Sequence, residues 1–104
     1  MEIKLLLDGE EKTFTVPFAT GFTVRKTFEI AREYGGSNIQ EEGYDAHADY
    51  IVLAFNNQFT RDELYAGYPG GDIVRKADEI MAWALNPKGK EGTDTKNTKT
   101  PTKS

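Results

Sequence analysis

Hydrophobic and polar residues alternate in two short segments at the start of the chain. Ile3, Leu5 and Leu7 occupy every second position, and the alternation resumes in residues 13–16. Asp8-Gly9 lies between the segments and accepts the positive φ angles of a tight turn. The pattern predicts a β-hairpin, which must pack on other elements because a lone two-stranded hairpin is only marginally stable in water. Its predicted buried face comprises Ile3, Leu5, Leu7, Phe14 and Val16.

Apolar residues in the next segment recur with the spacing of an α-helix. From Thr23 to Tyr34 they fall at positions i, i+4, i+7 and i+10, and Gly35-Gly36 follows as a helix stop. Val24 and Phe28 are therefore predicted to face the core. The full predicted stripe is Val24, Phe28, Ala31 and Tyr34.

Two further helical patterns complete the predicted fold. One runs from about Glu41 to Phe55 and the other from Ile73 to Leu85, with Asp72 as the predicted N-cap of the second. Together with the hairpin they predict an α+β fold, in which an N-terminal β-hairpin packs on a small bundle of three to four helices. The predicted core comprises Ile3, Leu5, Phe14, Val24, Phe28, Ile51, Val52, Phe55, Leu64, Ile80 and Met81.

A joint between two helices is predicted at residues 55–64. Asn56-Asn57 tolerate the left-handed conformation in which the preceding helix would end. Thr60 and Glu63 have the spacing of a capping box, so a short helix should begin at Thr60 and cover residues 61–66. The phenylalanine before the cap can pack on the leucine one turn later as a hydrophobic staple. The residues of the joint are Phe55, Phe59, Thr60, Glu63 and Leu64.

Charge and composition divide the chain of 104 residues into two parts. Residues 1–85 carry 8 Lys/Arg against 15 Asp/Glu, a net charge of −7, whereas residues 86–104 carry 5 Lys against 2 acidic residues, a net charge of +3. The second part contains no aliphatic or aromatic residue, so it is predicted to be a flexible Lys/Thr-rich tail after a folded domain of residues 1–85. The acidic body argues against specific nucleic-acid binding.

The sequence offers little for catalysis or for metal binding. It has no cysteine, its serines are only at positions 37 and 104, and its single histidine is His47. Asp45 and Asp49 flank this histidine in the sequence. On a helix, however, His47 is two positions from each and points about 200° away from them. The pattern therefore predicts a solvent-facing histidine side chain and no metal site. The acidic row of Glu41, Glu42, Asp45 and Asp49 is likewise predicted to be a solvated face.

No cofactor site and no membrane segment are predicted. Gly70-Gly71 precedes a helix but lacks the Lys-Ser/Thr of a phosphate-binding loop. No apolar run approaches the roughly 18 residues that cross a bilayer. The start of the chain also lacks the features of a signal peptide, so a cytoplasmic protein is expected.

Aromatic residues are the main indication of a binding surface. The chain has six Phe, five Tyr and one Trp, and Tyr65, Tyr68 and Trp83 flank the end of the short helix and the last helix. Tyr and Trp are enriched among interface anchors, so these three are the predicted partner contacts; the alternative is that they close the small core. A folded part of about 85 residues buries only about 60–65% of its surface, so it would gain from a partner or from self-association as a homo-oligomer.

The order of these elements resembles a known family. The chain resembles the small tail assembly chaperones of long-tailed bacteriophages of Gram-positive hosts. The resemblance lies in the order of a hairpin, Val16-Pro17-Phe18, and an aromatic helix that ends in residues 54–60, Ala-Phe-Asn-Asn-Gln-Phe-Thr. Members often carry a phrase close to F-G-N-Q-F-T, followed by acidic residues, an aromatic residue and a glycine, as in residues 62–67 here. Asn56 stands where glycine is frequent. The resemblance covers about residues 2–85 and rests on structural motifs without a catalytic residue.

The resemblance implies a non-enzymatic role in the host cytoplasm. Proteins of this family coat the tape-measure protein, keep it soluble and help bring tail-tube subunits to it, and they are absent from the finished virion. They commonly occur as a short form and a longer form made by programmed ribosomal frameshift. A folded body followed by a Lys/Thr-rich tail fits the short form.

Two other functions remain as alternatives. The first is a head-to-tail connector or a tail terminator, which would be retained in the virion. The second is a small nucleic-acid-associated protein that acts through the lysines of its tail, for which binding would fall steeply with salt.

Overall fold

A β-hairpin opens the chain and helices follow it in the structure, a computed structural model that describes residues 1–36 and 39–86. The α+β fold class is confirmed, with four α-helices in these residues. The predicted tail lies outside the described residues from position 87 onward. The elements are β1 (Glu2–Leu7), β2 (Glu10–Thr15), α1 (Gly21–Tyr34), α2 (Glu41–Ala54), α3 (Arg61–Gly67), a 3₁₀ turn (Gly70–Asp72) and α4 (Ile73–Leu85).

The hairpin has the predicted turn and register. Asp8 and Gly9 both adopt positive φ angles, of 53° and 78°, which match the right-handed twist of the two strands. Ile3 pairs with Phe14 across the antiparallel strands. Ile3, Leu5 and Val16 are buried, whereas Leu7 and Phe14 are half-buried against the core.

Helix α3 and helix α4 cover the outer edge of β1. A Cβ atom at Gly67 would lie 2.7 Å from the carbonyl oxygen of Leu6, so only glycine permits this approach of α3 to the strand. Near the start of the same strand, Lys76 Nζ donates to the Glu2 carbonyl at 2.8 Å. The hairpin is thus fixed by backbone contacts as well as by its apolar face.

Helix α1 lies in a different rotational position from the one predicted. Its buried residues are Thr23, Thr27 and Ile30, while Phe28 is exposed, Ala31 is exposed and Val24 is half-buried. The prediction that Phe28 belongs to the core is therefore wrong. The reason is a buried hydrogen bond of 2.7 Å between the hydroxyls of Thr27 and Tyr50, which turns the threonine face of α1 toward α2.

Helix α2 is the centre of the bundle, because α1, α3 and α4 all pack on it. Its buried residues include Tyr50 and Ile51, and α4 adds Ile73, Ala77 and Ile80. The other predicted core residues are either buried or half-buried. Ile3, Leu5, Ile51, Phe55, Leu64 and Ile80 are buried; Phe14, Val24, Val52 and Met81 are half-buried.

His47 is buried rather than solvated, which corrects the prediction for this side chain. Only 2% of it is exposed, and it lines a cavity together with Ile30, Val74 and Met81. Its Nδ1 atom lies 2.7 Å from the Gly43 carbonyl oxygen one turn earlier, so the imidazole has a hydrogen-bond partner within its own helix. A helix contacted by three others needs a wide buried face, and His47 falls within it.

Asp72 occupies the N-cap position of α4 but does not cap it with its side chain. Its backbone is helical, because the 3₁₀ turn runs directly into α4, and the carboxylate has no bond to a backbone N–H of the first turn. The carboxylate instead pairs with Arg75 Nη1 at 2.6 Å. The predicted side-chain cap is therefore wrong, although the helix begins where it was predicted.

Candidate functional site

The joint between α2 and α3 has the geometry that its sequence predicts. Asn56 and Asn57 both have a φ of 58°, the left-handed conformation that ends α2. The Glu63 N–H donates to Thr60 Oγ1 at 3.0 Å, and the Thr60 N–H donates to Glu63 Oε1 at 2.9 Å. This reciprocal pair is a complete capping box, and it fixes the start of α3 directly after the turn.

Aromatic rings fill the inside of the joint. The ring centroid of Phe59 lies 5.0 Å from that of Phe14 and 5.8 Å from that of Phe55. Phe55, Phe59 and Leu64 are all buried. The joint therefore connects α2 and α3 to the hairpin through a continuous apolar cluster, and its rings are inaccessible to a partner.

Tyr65 is held by a network of contacts with α2. Its ring stacks on Tyr44 with a centroid distance of 5.7 Å, and its hydroxyl donates a hydrogen bond to the Asp45 carboxylate. Arg61 lies over the same ring and pairs with Asp49 Oδ2 at 3.2 Å. We call these five residues the α2–α3 seam. Two of the four residues predicted to form a solvated acidic face are thus engaged with α3.

Burial keeps the tyrosines of this region protonated. Burial raises the pKa of Tyr65, and the hydrogen bond to the Asp45 carboxylate raises this pKa further. Burial also raises the pKa of Tyr68, with the Asp72 carboxylate as a smaller cause. These shifts raise the pKa of both phenols further above the ordinary value of about 10, so their effect is confined to alkaline pH.

The three predicted partner contacts are half-buried and do not form one cluster. Tyr65, Tyr68 and Trp83 all pack against the core. Tyr68 lines a shallow groove with Lys4 and Lys76, at the end of α3. Among the ring pairs of the described residues, Tyr65 stacks on Tyr44 and none includes Trp83. Their role as partner contacts remains a prediction.

The most exposed aromatic side chains lie on and just before α1. Phe18, Phe22 and Phe28 are 65%, 76% and 56% exposed. The second and third of them line a groove of about 460 Å³ between α1 and α2. We call it the α1 groove. It is lined by Phe22, Arg25, Lys26, Phe28, Glu29, Arg32 and Leu53.

The α1 groove is positively charged although residues 1–85 have a net charge of −7. It contains three basic side chains and one acidic side chain. Lys26 Nζ binds Glu29 Oε2 at 2.8 Å, and this bond lowers the pKa of Glu29. Arg32 contacts Glu33 at 3.5 Å. No carboxylate in residues 1–36 and 39–86 forms a salt bridge with Arg25.

The α1 groove could not be predicted from the stripe Val24, Phe28, Ala31 and Tyr34, because that stripe places the wrong face of α1 in the core. A signal was present: Thr23, Thr27, Ile30 and Tyr34 fall at i, i+4, i+7 and i+11, which is an equally regular helical stripe. Choosing that stripe turns Phe22 and Phe28 toward solvent beside the basic residues.

Sites of other kinds are not found in the part of the chain that the structure describes. Within it, no group of three or more His, Cys, Asp or Glu side chains is placed to hold a metal ion. The described helices also include none that is both long enough and apolar enough to span a membrane. The arrangement of the α1 groove and the α2–α3 seam is suited to protein contacts.

Comparison with known protein families decides between the remaining functions. A family model described as "Phage tail chaperone protein" matches residues 1–103. The chain belongs to the phage tail chaperone family. No curated protein and no solved structure matches it.

Membership in this family gives the chain a role in bacteriophage tail assembly. Tail chaperones act in the host cell while the tail is built and interact with tail proteins, and they are generally not enzymes. The matched residues include the joint, the α1 groove and the α2–α3 seam.

Proposed function

We propose that this tail chaperone binds the tape-measure protein, keeps it soluble and helps to recruit tail-tube subunits to it. The observation that carries the proposal is the family match over residues 1–103. The exposed aromatic side chains of α1 support it, because a chaperone for an apolar partner needs apolar surface of its own.

Simple physical requirements favour a small helical module in many copies. A tape-measure protein is a long amphipathic helix, and a groove between helices recognises the apolar face of such a helix. Weak contacts suffice because repeated sites along one partner increase the total affinity. Modest affinity for each copy also allows tail-tube subunits to displace the chaperone, which would then be absent from the virion.

The contact residues that we propose from the sequence are Tyr65, Tyr68 and Trp83. Each is half-buried, so each has a packed side that fixes its ring and an accessible side that can meet a partner. Tyrosine and tryptophan lose little conformational entropy on binding and combine apolar area with a hydrogen-bonding group.

The direct test is co-expression of this chain with the tape-measure protein of the same phage. We expect a soluble complex that co-purifies, an insoluble tape-measure protein in the absence of the chaperone, and no copies of this chain in purified virions by mass spectrometry. An insoluble tape-measure protein in both cases, together with this chain in virions, would instead favour a connector or a tail terminator.

The contact residues are tested separately in the same co-expression system. The double variant Tyr65→Ala/Trp83→Ala should reduce the amount of tape-measure protein that co-purifies. Tyr34→Ala is the matched control, because Tyr34 is also a half-buried tyrosine with its hydroxyl bonded to a carboxylate, that of Glu42 at 3.2 Å. Unchanged folding and unchanged binding in the double variant would exclude these residues as the contact surface.

A further inference from the structure

The two phenylalanines of the α1 groove are exposed because of the rotational position of the helix. The face of α1 that enters the core carries Thr23 and Thr27. The Thr27 hydroxyl bonds to both the Thr23 carbonyl, at 2.8 Å, and the Tyr50 hydroxyl, at 2.7 Å. These buried hydrogen bonds fix the rotation of α1, so the rings of Phe22 and Phe28 remain exposed to solvent.

The charge around these rings is opposite in sign to the net charge of residues 1–85. Residues 1–85 have a net charge of −7 and only eight basic side chains. Three of the eight, Arg25, Lys26 and Arg32, line the α1 groove, where Glu29 is the one acidic lining residue. The groove is therefore a local basic site that also carries exposed aromatic rings.

We infer that the α1 groove binds an amphipathic helix whose apolar stripe is bordered by carboxylates. The apolar side chains of this helix pack on Phe22, Phe28 and Leu53, and its carboxylates pair with Arg25 and Arg32 at the rim. This inference rests on the proposed function, because the helix is taken to be an acidic segment of the tape-measure protein. The α1 groove is then a second contact surface beside Tyr65, Tyr68 and Trp83, and it requires a negatively charged partner segment.

The spacing along α1 fits a helical partner. Phe22 and Phe28 are six residues apart, which is about 9 Å along the axis and about 120° around α1, so the two rings stand on either side of the basic residues between them and can contact a helix that crosses α1. Complementary charges at the rim set the register and the choice of partner, while the rings supply the apolar contact.

Other ligands fit this groove less well. Nucleic acid would bring phosphates close to Glu29 and to residues 1–85 with their net charge of −7. Three basic side chains are also too few for the extended basic surface that nucleic-acid-binding proteins present. An anionic membrane surface would meet the same repulsion. A short acidic helix contacts only the groove, where the local charge is favourable.

The test uses the full chain co-expressed with the tape-measure protein and, in parallel, synthetic peptides that tile the tape-measure sequence. Arg25→Glu/Arg32→Glu should weaken binding of the acidic amphipathic peptides by about tenfold or more, because two attractive pairs become repulsive. Lys12→Glu/Arg75→Glu is the matched control, since it changes the net charge equally at two exposed positions outside the groove. It should change binding by less than about twofold.

Two further variants separate apolar contact from charge. Phe28→Ala should also weaken binding without lowering the thermal stability of the chain. A photo-crosslinking amino acid at position 28 should label an acidic amphipathic segment of the tape-measure protein, whereas the same group at Leu6, another exposed apolar residue, should not.

The outcomes distinguish this inference from the proposed function. A soluble tape-measure complex that is unaffected by Arg25→Glu/Arg32→Glu and by Phe28→Ala would overturn the inference and leave the proposed function intact. Failure of every variant, including the unmodified chain, to bind the tape-measure protein would overturn both. Crosslinks between two copies of this chain would overturn the inference and identify the groove as a self-association surface.

Discussion

The joint and the α1 groove use the same kind of side chain in opposite ways. Phe14, Phe55 and Phe59 form a chain of rings with centroids 5.0 and 5.8 Å apart inside the joint. Phe22 and Phe28 of the groove are more than half exposed. The difference shows that the aromatic content of a small domain is not a measure of its core.

The two regions differ in what determines which face of the helix is buried. At the joint, local residues determine where α3 begins, and the start of a helix determines which side chains face inward. The phase of α1 depends instead on the hydrogen bond between Thr27 and Tyr50, which are 23 positions apart. Helix α1 also has a cap, in which Thr20 Oγ1 accepts a hydrogen bond from the Thr23 N–H at 3.3 Å, but no glutamate completes a capping box there.

The largest effect is expected from Phe55→Ala compared with Phe28→Ala. Phe55 is completely buried, so its truncation should lower the free energy of unfolding by about 3–5 kcal/mol. Phe28→Ala removes an exposed ring and should change this free energy by less than about 0.5 kcal/mol. Chemical denaturation followed by circular dichroism measures both values. Equal losses in the two variants would contradict the rotational position of α1.

The buried face of α1 gives the second prediction. Thr27→Val keeps the shape of the side chain but leaves the Tyr50 hydroxyl without its partner, which should destabilise the fold by about 1–3 kcal/mol. The double variant Thr27→Val/Tyr50→Phe should recover part of this loss, because no polar group is then left unpaired. Additive losses in the double variant would argue that the two hydroxyls do not interact.

The capping box at the joint is expected to contribute less. Thr60→Ala removes the acceptor for the Glu63 N–H and should lower stability by about 1 kcal/mol, whereas Thr60→Ser should be close to neutral because it keeps the hydroxyl. Thermal unfolding of the two variants gives the comparison. A serine variant as unstable as the alanine variant would show that the methyl group, and not the cap, is important.

Tyr65 in the α2–α3 seam should have its main effect at alkaline pH. Burial and the bond to Asp45 raise its pKa in the folded chain, so the phenol stays protonated there while in the unfolded chain it ionises near pH 10. Its contribution to stability is therefore complete below about pH 10 and is lost as the pH rises through the folded pKa.

Tyr65→Phe should make the alkaline loss of stability less steep, as measured by denaturation at several values between pH 8 and 11. Part of the loss should remain, because burial also raises the pKa of Tyr50 and of Tyr68. The same pH profile for the variant and the unmodified chain would show that Tyr65 does not titrate as a buried donor.

Most of the fold could be predicted because its signals are local. The hairpin follows from alternation around Asp8-Gly9, and α3 follows from the capping box and the two asparagines. Helix α4 has one regular apolar stripe, and that stripe is the buried one. Helix α1 has two stripes of equal regularity, and only a contact with a distant residue selects between them.

The candidate site was harder to predict for the same reason. Exposure of Phe22 and Phe28 depends on the phase of α1, and the burial of His47 depends on how many helices surround α2. The seam likewise depends on α3 folding back onto α2, which brings Tyr65 to Asp45 across 20 positions. Such pairings are properties of the packed bundle and leave little trace in local sequence.

The close approach at Gly67 has a consequence for aggregation. Met1 and Val16 exchange two backbone hydrogen bonds, so the alternate residues Glu2, Lys4 and Leu6 direct their backbone groups away from β2. An unpaired edge of this kind is a template for strands of other chains.

Here α3 lies against the β1 edge at Leu6, and Lys76 Nζ donates a hydrogen bond to the Glu2 carbonyl. On the other strand, Gln58 Nε2 binds the Thr15 carbonyl at 3.0 Å. The β1 edge is thus covered at Leu6 and at Glu2, and the β2 edge at Thr15, which leaves fewer free backbone groups for a strand of another chain to pair with.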